Sequence, residues 1–464
     1  MQRVTVCLLS VVLALLLGAS ATAQRRAAER AIPAKDRLVI VISLDGFPAW
    51  TFTDPTLPTP TLQRLARTGA VAEAMTTSNP TVTWPNHTTL VTGVPPEKHG
   101  VLFNGILLRG GLKDPPKVEP WRDKAEMVRV PTVYDLAYKA GLTTAQVDWV
   151  AIQNPGTITW EFAERPNLNG VIEKEMVAEG LVTEAEVRDF NRNNPAWRDQ
   201  VWTNAAIHIS KKHKPNLLLF HLLNLDSVHH RYGPKTSAGY TAQAYIDTRV
   251  KELVAALESA KLLDRTTLLI VSDHGFKAAK RTIKANAALR QMGLLQVEGS
   301  KVTGDAYVIP EGGTAMAYVL DPTQRQRLLP QMKTAFLALE GVARVLEPAE
   351  FHSFGLPTPE ENNQMADLVL VAKEGYSFNG AAVGDPVVDI GEGMSMGNHG
   401  YLSTDPQMNA MFIAWGYGIR PGQRLGTISN LDVAPTIATL LGLKLEGVSG
   451  KPLSALLQLS GASQ

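Results

Sequence analysis

Cysteine is all but missing from this chain of 464 residues, Cys7 being the only one. One cysteine closes no intrachain disulfide and builds no multi-thiolate metal centre, so both are excluded. Net charge is missing as well. The 45 Lys+Arg and 44 Asp+Glu leave a formal charge of +1, and the basic excess of a nucleic-acid-binding surface is not there. Disorder requires low hydrophobicity with high net charge, whereas 45% of the residues are hydrophobic. Apolar runs of membrane-spanning length are missing too: Val6 to Leu17 has 12 residues, where a transmembrane helix needs about 20. No internal repeat or low-complexity tract interrupts the chain. What remains is globular, long enough for one large domain with insertions or for two to three domains of roughly 150 residues.

The Val6 to Leu17 run follows Arg3 and precedes Ala21-Thr22-Ala23. This is the basic, apolar and small-residue order of an export signal. Cleavage after Ala23 is expected to remove residues 1–23, and Cys7 with them. The mature chain would then hold no cysteine and equal numbers of acidic and basic groups. A lipoprotein would need its cysteine at the end of the apolar run, and Cys7 sits near the start. The expected location is periplasmic or secreted, with no membrane span after signal removal.

Residues 24–36 are Ala/Arg-rich and read as a linker. Three continuous apolar runs follow, with the pattern of strands buried on both faces: Leu38 to Leu44, Leu217 to Leu225 and Thr266 to Ser272. Met408 to Trp415 is a fourth. Helical patterns alternate with them at Thr59 to Thr68, Thr132 to Ala140, Trp197 to Lys212, Tyr240 to Ala260 and Asn430 to Leu441. The alternation predicts an α/β fold around a mostly parallel central sheet. Residues 285–375 read differently, as short strands around a helix at Thr323 to Leu339. They are expected to form an inserted α+β subdomain or cap between two parts of the core, 37–284 and 376–464. The Gly/Pro-rich stretches Gly105 to Pro120 and Ser377 to Gly397 are expected as loops over a working face.

Each of the first three runs ends at an aspartate: Asp45, Asp226 and Asp273. One such residue is ordinarily a turn former or helix cap. Three at equivalent places, where open α/β sheets bind ligands, point to a site. Histidines accompany them: His274 adjoins Asp273, His230 lies four residues after Asp226, and His399 sits in GNHGY between glycines. Mixed Asp and His donors without thiolates suit Zn²⁺, and Mn²⁺ less well. His208, His213 and His352 read as surface or structural, His221 as a core residue of its strand, and His229 stays ambiguous beside His230. In TVTWPNHTTLVTG, Pro85 suggests the start of a helix, which places Thr83 just before an N-terminus that favours an anion. Taken alone, Thr83 would be an N-cap, and Asn86 and Asn104 turn residues.

Together, VISLDGF, TVTWPNHTTLVTG-x₅-HG, D-S-x-x-H-x-Y-G-P, VSDHGF, GNHGY and LDVAPTIATLLG resemble the type I phosphodiesterase/nucleotide pyrophosphatase family of the alkaline phosphatase superfamily. The motifs stand in family order from Val41 to about Leu443. The resemblance implies an alkaline-phosphatase-like three-layer fold, two zinc ions and a covalent threonine intermediate. It implies one zinc held by Asp45, Asp273 and His274, with Thr83 as the nucleophile bound to it, and the other held by Asp226, His230 and His399. Asn104 falls where the family sets an asparagine against a phosphoryl oxygen. Trp84 takes a position, commonly aromatic, that faces the nucleoside or leaving group. The implied partner is a small phosphodiester or nucleotide. The chain departs from the family at Asn224-Leu225, where Glu-Pro is frequent, and at Val82, where Lys is frequent; neither change removes a ligand.

Sister chemistries are weighed on residues. A sulfatase needs C/S-x-P-x-R, and Ser78 to Val82 ends in Val. A threonine-dependent phosphomonoesterase resembles the chain up to Asn104 but adds a Lys-x-Arg pair, and none stands between Asn104 and Asp226; Arg122 or Arg165 would have to serve instead. A phosphonate hydrolase uses a similar threonine and two-zinc site. A non-enzymatic metal-binding module would show gaps in the ligand set, and the set is complete. Residues 150–194 carry no recognisable motif although a substrate pocket should use them. Trp149, Trp160 and Phe162 are candidates for stacking on a base, with core packing favoured for each.

Overall fold

The computed structural model describes residues 32–391 and 394–458. The export signal and most of the linker expected from the sequence lie outside them. Among the described residues no helix is long and apolar enough to cross a membrane.

An eight-stranded mixed sheet forms the centre. In chain order its strands are β1 (Leu38–Leu44), β2 (Ala70–Thr76), β3 (Thr144–Val147), β4 (Trp160–Phe162), β5 (Leu217–Leu222), β6 (Thr266–Val271), β7 (Phe412–Gly416) and β8 (Gln423–Ser429). Across the sheet they run β8-β2-β7-β6-β1-β5-β3-β4. All neighbours are parallel except β7, which is antiparallel to both β2 and β6. The principal helices are α1 (Pro60–Thr68), α2 (Thr83–Thr92), α3 (Val133–Lys139), α4 (Val171–Ala178), α5 (Pro195–Lys212), α6 (Asn224–Tyr232), α7 (Ser237–Ser259) and α8 (Val433–Leu440).

The apolar runs have no polar alternation because both faces of the sheet are covered. On one face Ile40, Ile42, Phe220 and Ile270 pack with Leu62 and Leu65 of α1, Trp202 of α5 and Ile246 and Val250 of α7. On the other, Val39, Val41, Leu219 and Leu269 pack with Leu90 of α2, Val133 of α3 and Ile437 of α8. The result is three layers. All ten residues of α2 are buried, so this helix shows no amphipathic stripe.

Three expected elements shift. The run from Leu217 to Leu225 is not one strand: β5 stops at Leu222 and α6 begins at Asn224. Asp199 accepts the Leu223 and Asn224 N–H groups, and that side chain from another helix stops the ladder where the local apolar pattern would continue it. Asp226 therefore sits in a first helical turn and not at a strand end. The fourth run begins as a single 3-10 turn, Pro406–Met408, before β7. The stretch Gly105 to Pro120 contains a hairpin, Ile106–Leu108 against Lys117–Glu119. Between residues 285 and 375, an antiparallel sheet of Ala306–Pro310, Thr314–Val319, Leu368–Ala372 and Val342–Leu346 packs against a helix at Arg325–Ala338.

Candidate active site

β1 lies between β5 and β6 in the sheet, with Leu44 paired to Leu222 and Ser43 to Val271. Whatever follows these three strands must therefore meet. Asp45 follows β1 directly, Asp273 and His274 follow β6, and the short Leu223 link leads into α6 with Asp226 and His230 one turn apart. His399 arrives separately, just after a two-residue ladder in which Gly397 and Asn398 pair with Ala278 and Lys277. The seven residues proposed from the sequence as nucleophile and ligands thus converge on one end of the sheet.

They converge as two groups, Asp45/Asp273/His274 and Asp226/His230/His399, each with its donor atoms within 4.8 Å of one another. His274 Nε2 is 3.4 Å from Asp45 Oδ1 and 3.2 Å from Asp273 Oδ2. Asp226 Oδ1 is 3.4 Å from His230 Nε2 and 3.7 Å from His399 Nε2. A tetrahedral site with bonds of about 2.0–2.2 Å has ligand atoms roughly 3.3–3.6 Å apart, so both groups have the spacing of a metal shell. The other ring nitrogens are committed to backbone carbonyls: His274 Nδ1 to Gly275 at 3.1 Å, His399 Nδ1 to Thr81 at 2.9 Å, and His230 Nδ1 to Gly397 at 3.2 Å. Nδ1–H donates in each case, which turns the Nε2 lone pairs inward.

Two of these lone pairs, on His230 and His399, lie 3.2 Å apart. That contact is repulsive unless a cation stands between them. Asp45 Oδ1, Asp226 Oδ1, Asp273 Oδ2 and His274 Nε2 are buried without a hydrogen-bond partner, a costly state for four polar atoms in one place. Burial, then the charges of Asp273 and Asp226, pushes the Asp45 carboxyl well above the ordinary carboxylate range. Burial, opposed in part by the backbone hydrogen bond, lowers the His274 imidazole to about 3. The donor set fits two divalent cations.

Thr83 is the first residue of α2, after an extended Val82, so the helix begins two residues before the Pro85 start read from the sequence. Proline at the third position is tolerated because its missing N–H has no helical partner there. Asn86 fixes the entry by donating to the carbonyls of Ser78, Pro80 and Val82. Thr81 is bonded to the Tyr401 carbonyl and its own carbonyl accepts from Gly400 N–H, which holds this segment beside His399. Asn104 accepts the Trp84 N–H at 2.9 Å through Oδ1, leaving its amide nitrogen to donate. Trp84 meets Trp121 edge-to-face at 6.2 Å.

Beside Thr83 opens a pocket of about 250 Å³, lined among others by Asp45, Asn104, Trp84, Trp121, Asp148 and Glu164. No Lys or Arg is among its lining residues. Arg122 is instead paired with Glu126 at the surface, and Arg165 lies 3.7 Å over the Trp121 ring. Burial, reinforced by the Asp148 charge, raises the Glu164 carboxyl to about 8.

Sequence reasoning missed four neighbours. His221 is buried in β5 as expected, yet its Nε2 meets Asp45 Oδ2 at 3.1 Å and its Nδ1 meets Asp148 Oδ2 at 3.0 Å. Burial would lower this imidazole, but the Asp148 and then the Asp45 interactions override it and raise it well above its usual value. Asp148 follows β3 and joins Asp45 and Asp273 as an aspartate just past a strand end; a four-residue strand gives no apolar run long enough to flag it. Trp121 and Glu164 come from irregular segments with no pattern to find. His229 packs edge-on to Phe276 and bonds the Gly46 carbonyl at 3.2 Å. Trp149 and Phe162 belong to the core, and Trp160 stacks on His213.

Comparison with known proteins fits this arrangement. A family model described as Type I phosphodiesterase / nucleotide pyrophosphatase matches residues 39–402. Ectonucleotide pyrophosphatase/phosphodiesterase family member 7 from Homo sapiens is 25% identical over 454 residues, 96% of this chain and 87% of that protein. A bis(5'-adenosyl)-triphosphatase from Xenopus laevis is 25% identical over 409 residues, 87% of this chain and 78% of its own length. Among solved structures, an inactive threonine-to-alanine variant of murine ectonucleotide pyrophosphatase/phosphodiesterase 5, in complex with AMP, superposes with a TM-score of 0.68 at 20% identity, covering 91% of this chain and 100% of that one.

Proposed function

The chain belongs to the type I phosphodiesterase/nucleotide pyrophosphatase family, and from that premise we propose that it is an exported hydrolase cleaving phosphodiester or pyrophosphate bonds through a covalent phospho-threonine at a two-zinc site. Asp45, Asp273 and His274 would hold one zinc ion, and Asp226, His230 and His399 the other. Two such ions lower the pKa of an oxygen nucleophile and neutralise developing charge on phosphorus-bound oxygens.

The protein's own residues do the rest. Thr83 Oγ1 attacks phosphorus in line, the P–O bond to the first alcohol or nucleotide breaks, and water then hydrolyses phospho-Thr83 to regenerate the hydroxyl. The α2 N-terminus turns its positive dipole end toward the phosphoryl oxygens, while the Trp84 and Asn86 N–H groups of its first turn are bonded to Asn104 Oδ1 and the Val82 carbonyl. Asn104, oriented by the Trp84 N–H, donates its amide to one of them. Trp84 and Trp121 offer aromatic surface to the group beyond the phosphate. The observation that carries the reading is the placement of Thr83 at a helix N-terminus beside two Asp/His donor groups, at the mouth of a pocket lined by both tryptophans.

The lack of Lys or Arg in the pocket lining supports a diester over a monoester, whose second negative charge needs a counter-charge. The test is hydrolysis of a bis-aryl phosphate against an aryl phosphate and an aryl sulfate, with Thr83→Ala as control. The diester is expected to be preferred, and Thr83→Ala to keep its zinc while losing turnover by about 10³-fold or more. Preference for the monoester would overturn the substrate class; substantial turnover by Thr83→Ala would overturn the nucleophile.

A further inference from the structure

A second convergence of histidine and carboxylate lies away from the pocket, where α4 packs against α5. Glu175 of α4 accepts at Oε2 from two rings at once, His208 Nε2 at 2.8 Å and His213 Nε2 at 2.7 Å. His208 is nearly buried, its side chain 3% exposed. Its other nitrogen, Nδ1, faces Glu179 Oε2 at 3.2 Å. Trp160 stacks on His213 at 4.7 Å and 28°, fixing the plane of that ring.

A neutral imidazole carries one N–H, and His208 has a carboxylate oxygen at each nitrogen. One contact must then be a lone pair against an anion, unless the ring takes up an extra proton or a cation sits at Nε2. The ring's hydrogen bond runs from Nε2 to Glu175, and the 3.2 Å approach of Nδ1 to Glu179 is a charge contact without hydrogen-bond alignment. In the other tautomer Nδ1–H faces Glu179 and the Nε2 lone pair faces Glu175 and His213. This is the carboxylate–histidine orientation found behind metal ligands. The three donor atoms lie within 4.8 Å of one another. We propose that Glu175, His208 and His213 form a further divalent-cation site, best matched to zinc, that staples α4 to α5 independently of the catalytic pair.

The chemistry favours zinc because two imidazole nitrogens and one carboxylate oxygen are a borderline-soft set without thiolates. Entry of the ion opens the two short contacts by about half an ångström, toward the roughly 3.3 Å edge of a tetrahedral shell. A cavity of about 360 Å³ lined by Glu179, Asn204 and Lys212 touches the site through His208, the one of the three ligands that lines it. Lys212 Nζ bonds Glu179 Oε1 at 3.0 Å and lies 3.4 Å from Glu175 Oε1. It sits on the oxygens that the ion does not use, but its charge weakens the site, so this ion is expected to dissociate before the catalytic two.

The staple has a structural purpose. α4 belongs to the 150–194 segment that supplies Val150 and Glu164 to the pocket, and α5 carries Asp199, which caps the start of α6. A protein whose mature chain would hold no cysteine has no disulfide to tie such a segment down.

The experiment is zinc titration of the full chain, stripped of metal, with ions bound per chain counted for wild type, Glu175→Gln and His213→Ala. His213 is partly exposed, so its truncation is the milder change. Three ions in the wild type and two in each variant are expected. Equal counts in wild type and both variants would overturn the site. The read-out is the difference of one ion, so a failure of the two-zinc catalytic reading would lower all counts together and leave that difference intact.

Discussion

His221→Ala tests how the site is held together. The ring is buried and bridges two buried carboxylates, Asp45 at 3.1 Å and Asp148 at 3.0 Å. Its removal leaves Asp45 without a counter-charge and Asp148 with only the weaker attraction of Arg198, and breaking one buried pair typically costs about 3–5 kcal/mol. In the metal-free protein nothing else offsets the loss at Asp45, which already faces Asp273 and Asp226, so a cost in this range is expected as lost unfolding free energy in urea. In the zinc-loaded protein the ion shields Asp45 Oδ1, but Oδ2 loses the donor that sets the carboxylate plane. Loss of such an outer partner commonly weakens metal binding by about 10–100-fold. The ion held by Asp45, Asp273 and His274 should therefore weaken before the ion held by Asp226, His230 and His399. Competition with a chromophoric chelator reads the two affinities. Asp148→Asn, which removes the charge but leaves the backbone carbonyl that Nδ1–H bonds at 3.1 Å, should cost less. The double variant should show coupling of about 0.5–3 kcal/mol. Unchanged zinc affinity in His221→Ala, or earlier loss of the ion on the Asp226 side, would refute the bridging argument.

His399→Ala should drop zinc content by one ion per chain on metal analysis while leaving the fold intact, because its backbone bonds to Asn398 Oδ1 and Gly313 N–H survive and only the Nδ1 bond to the Thr81 carbonyl is lost. Trp121→Ala should raise KM for an aryl or nucleoside diester about three- to tenfold with a smaller change in kcat, the scale of a lost aromatic contact; an unchanged KM would place the substrate elsewhere. His99 is buried, accepts the Val101 N–H at 3.2 Å and is lowered to about 3 by burial. The unfolded chain, with an ordinary value near 6.5, binds the extra proton first. The contribution of His99 is therefore fully present above about pH 6.5 and is lost as pH falls toward 3, at about 1.4 kcal/mol per unit. His99→Gln should flatten that slope in urea unfolding measured between pH 6.5 and 4.5.

Much of the fold could be read from local pattern. β1 and β6 announce themselves because strands buried on both faces must be continuously apolar, and the helices that cover them carry their own periodicity. The break at Leu222 could not be read, because LLLFHLLNL has no local stop; Asp199 ends the strand from another helix. The hairpin at Ile106–Leu108 hides in a Gly/Pro-rich stretch too short for an alternating signal. The site divides the same way. Asp45, Asp273 and His274 stand next to strand ends and inside recognisable motifs, whereas Trp121 and Glu164 lie on irregular segments whose position depends on what they pack against.

The sequence by itself determined the family, the α/β class and the identity of the residues with chemistry to offer, since motif order and strand-end aspartates are properties of the chain alone. Only the tertiary structure decided which of them meet. The sheet order β6-β1-β5 places Asp273 and Asp226 on either side of Asp45 although more than 45 residues of chain separate each from the next. It also turns His221 from a core residue into a bridge between carboxylates, while the packing of α4 on α5 makes His208 and His213, read from the sequence as surface or structural, partners of one glutamate oxygen. Neighbours in space across long loops leave no periodic trace in a sequence, because packing and electrostatics act through distance in the fold and not along the chain.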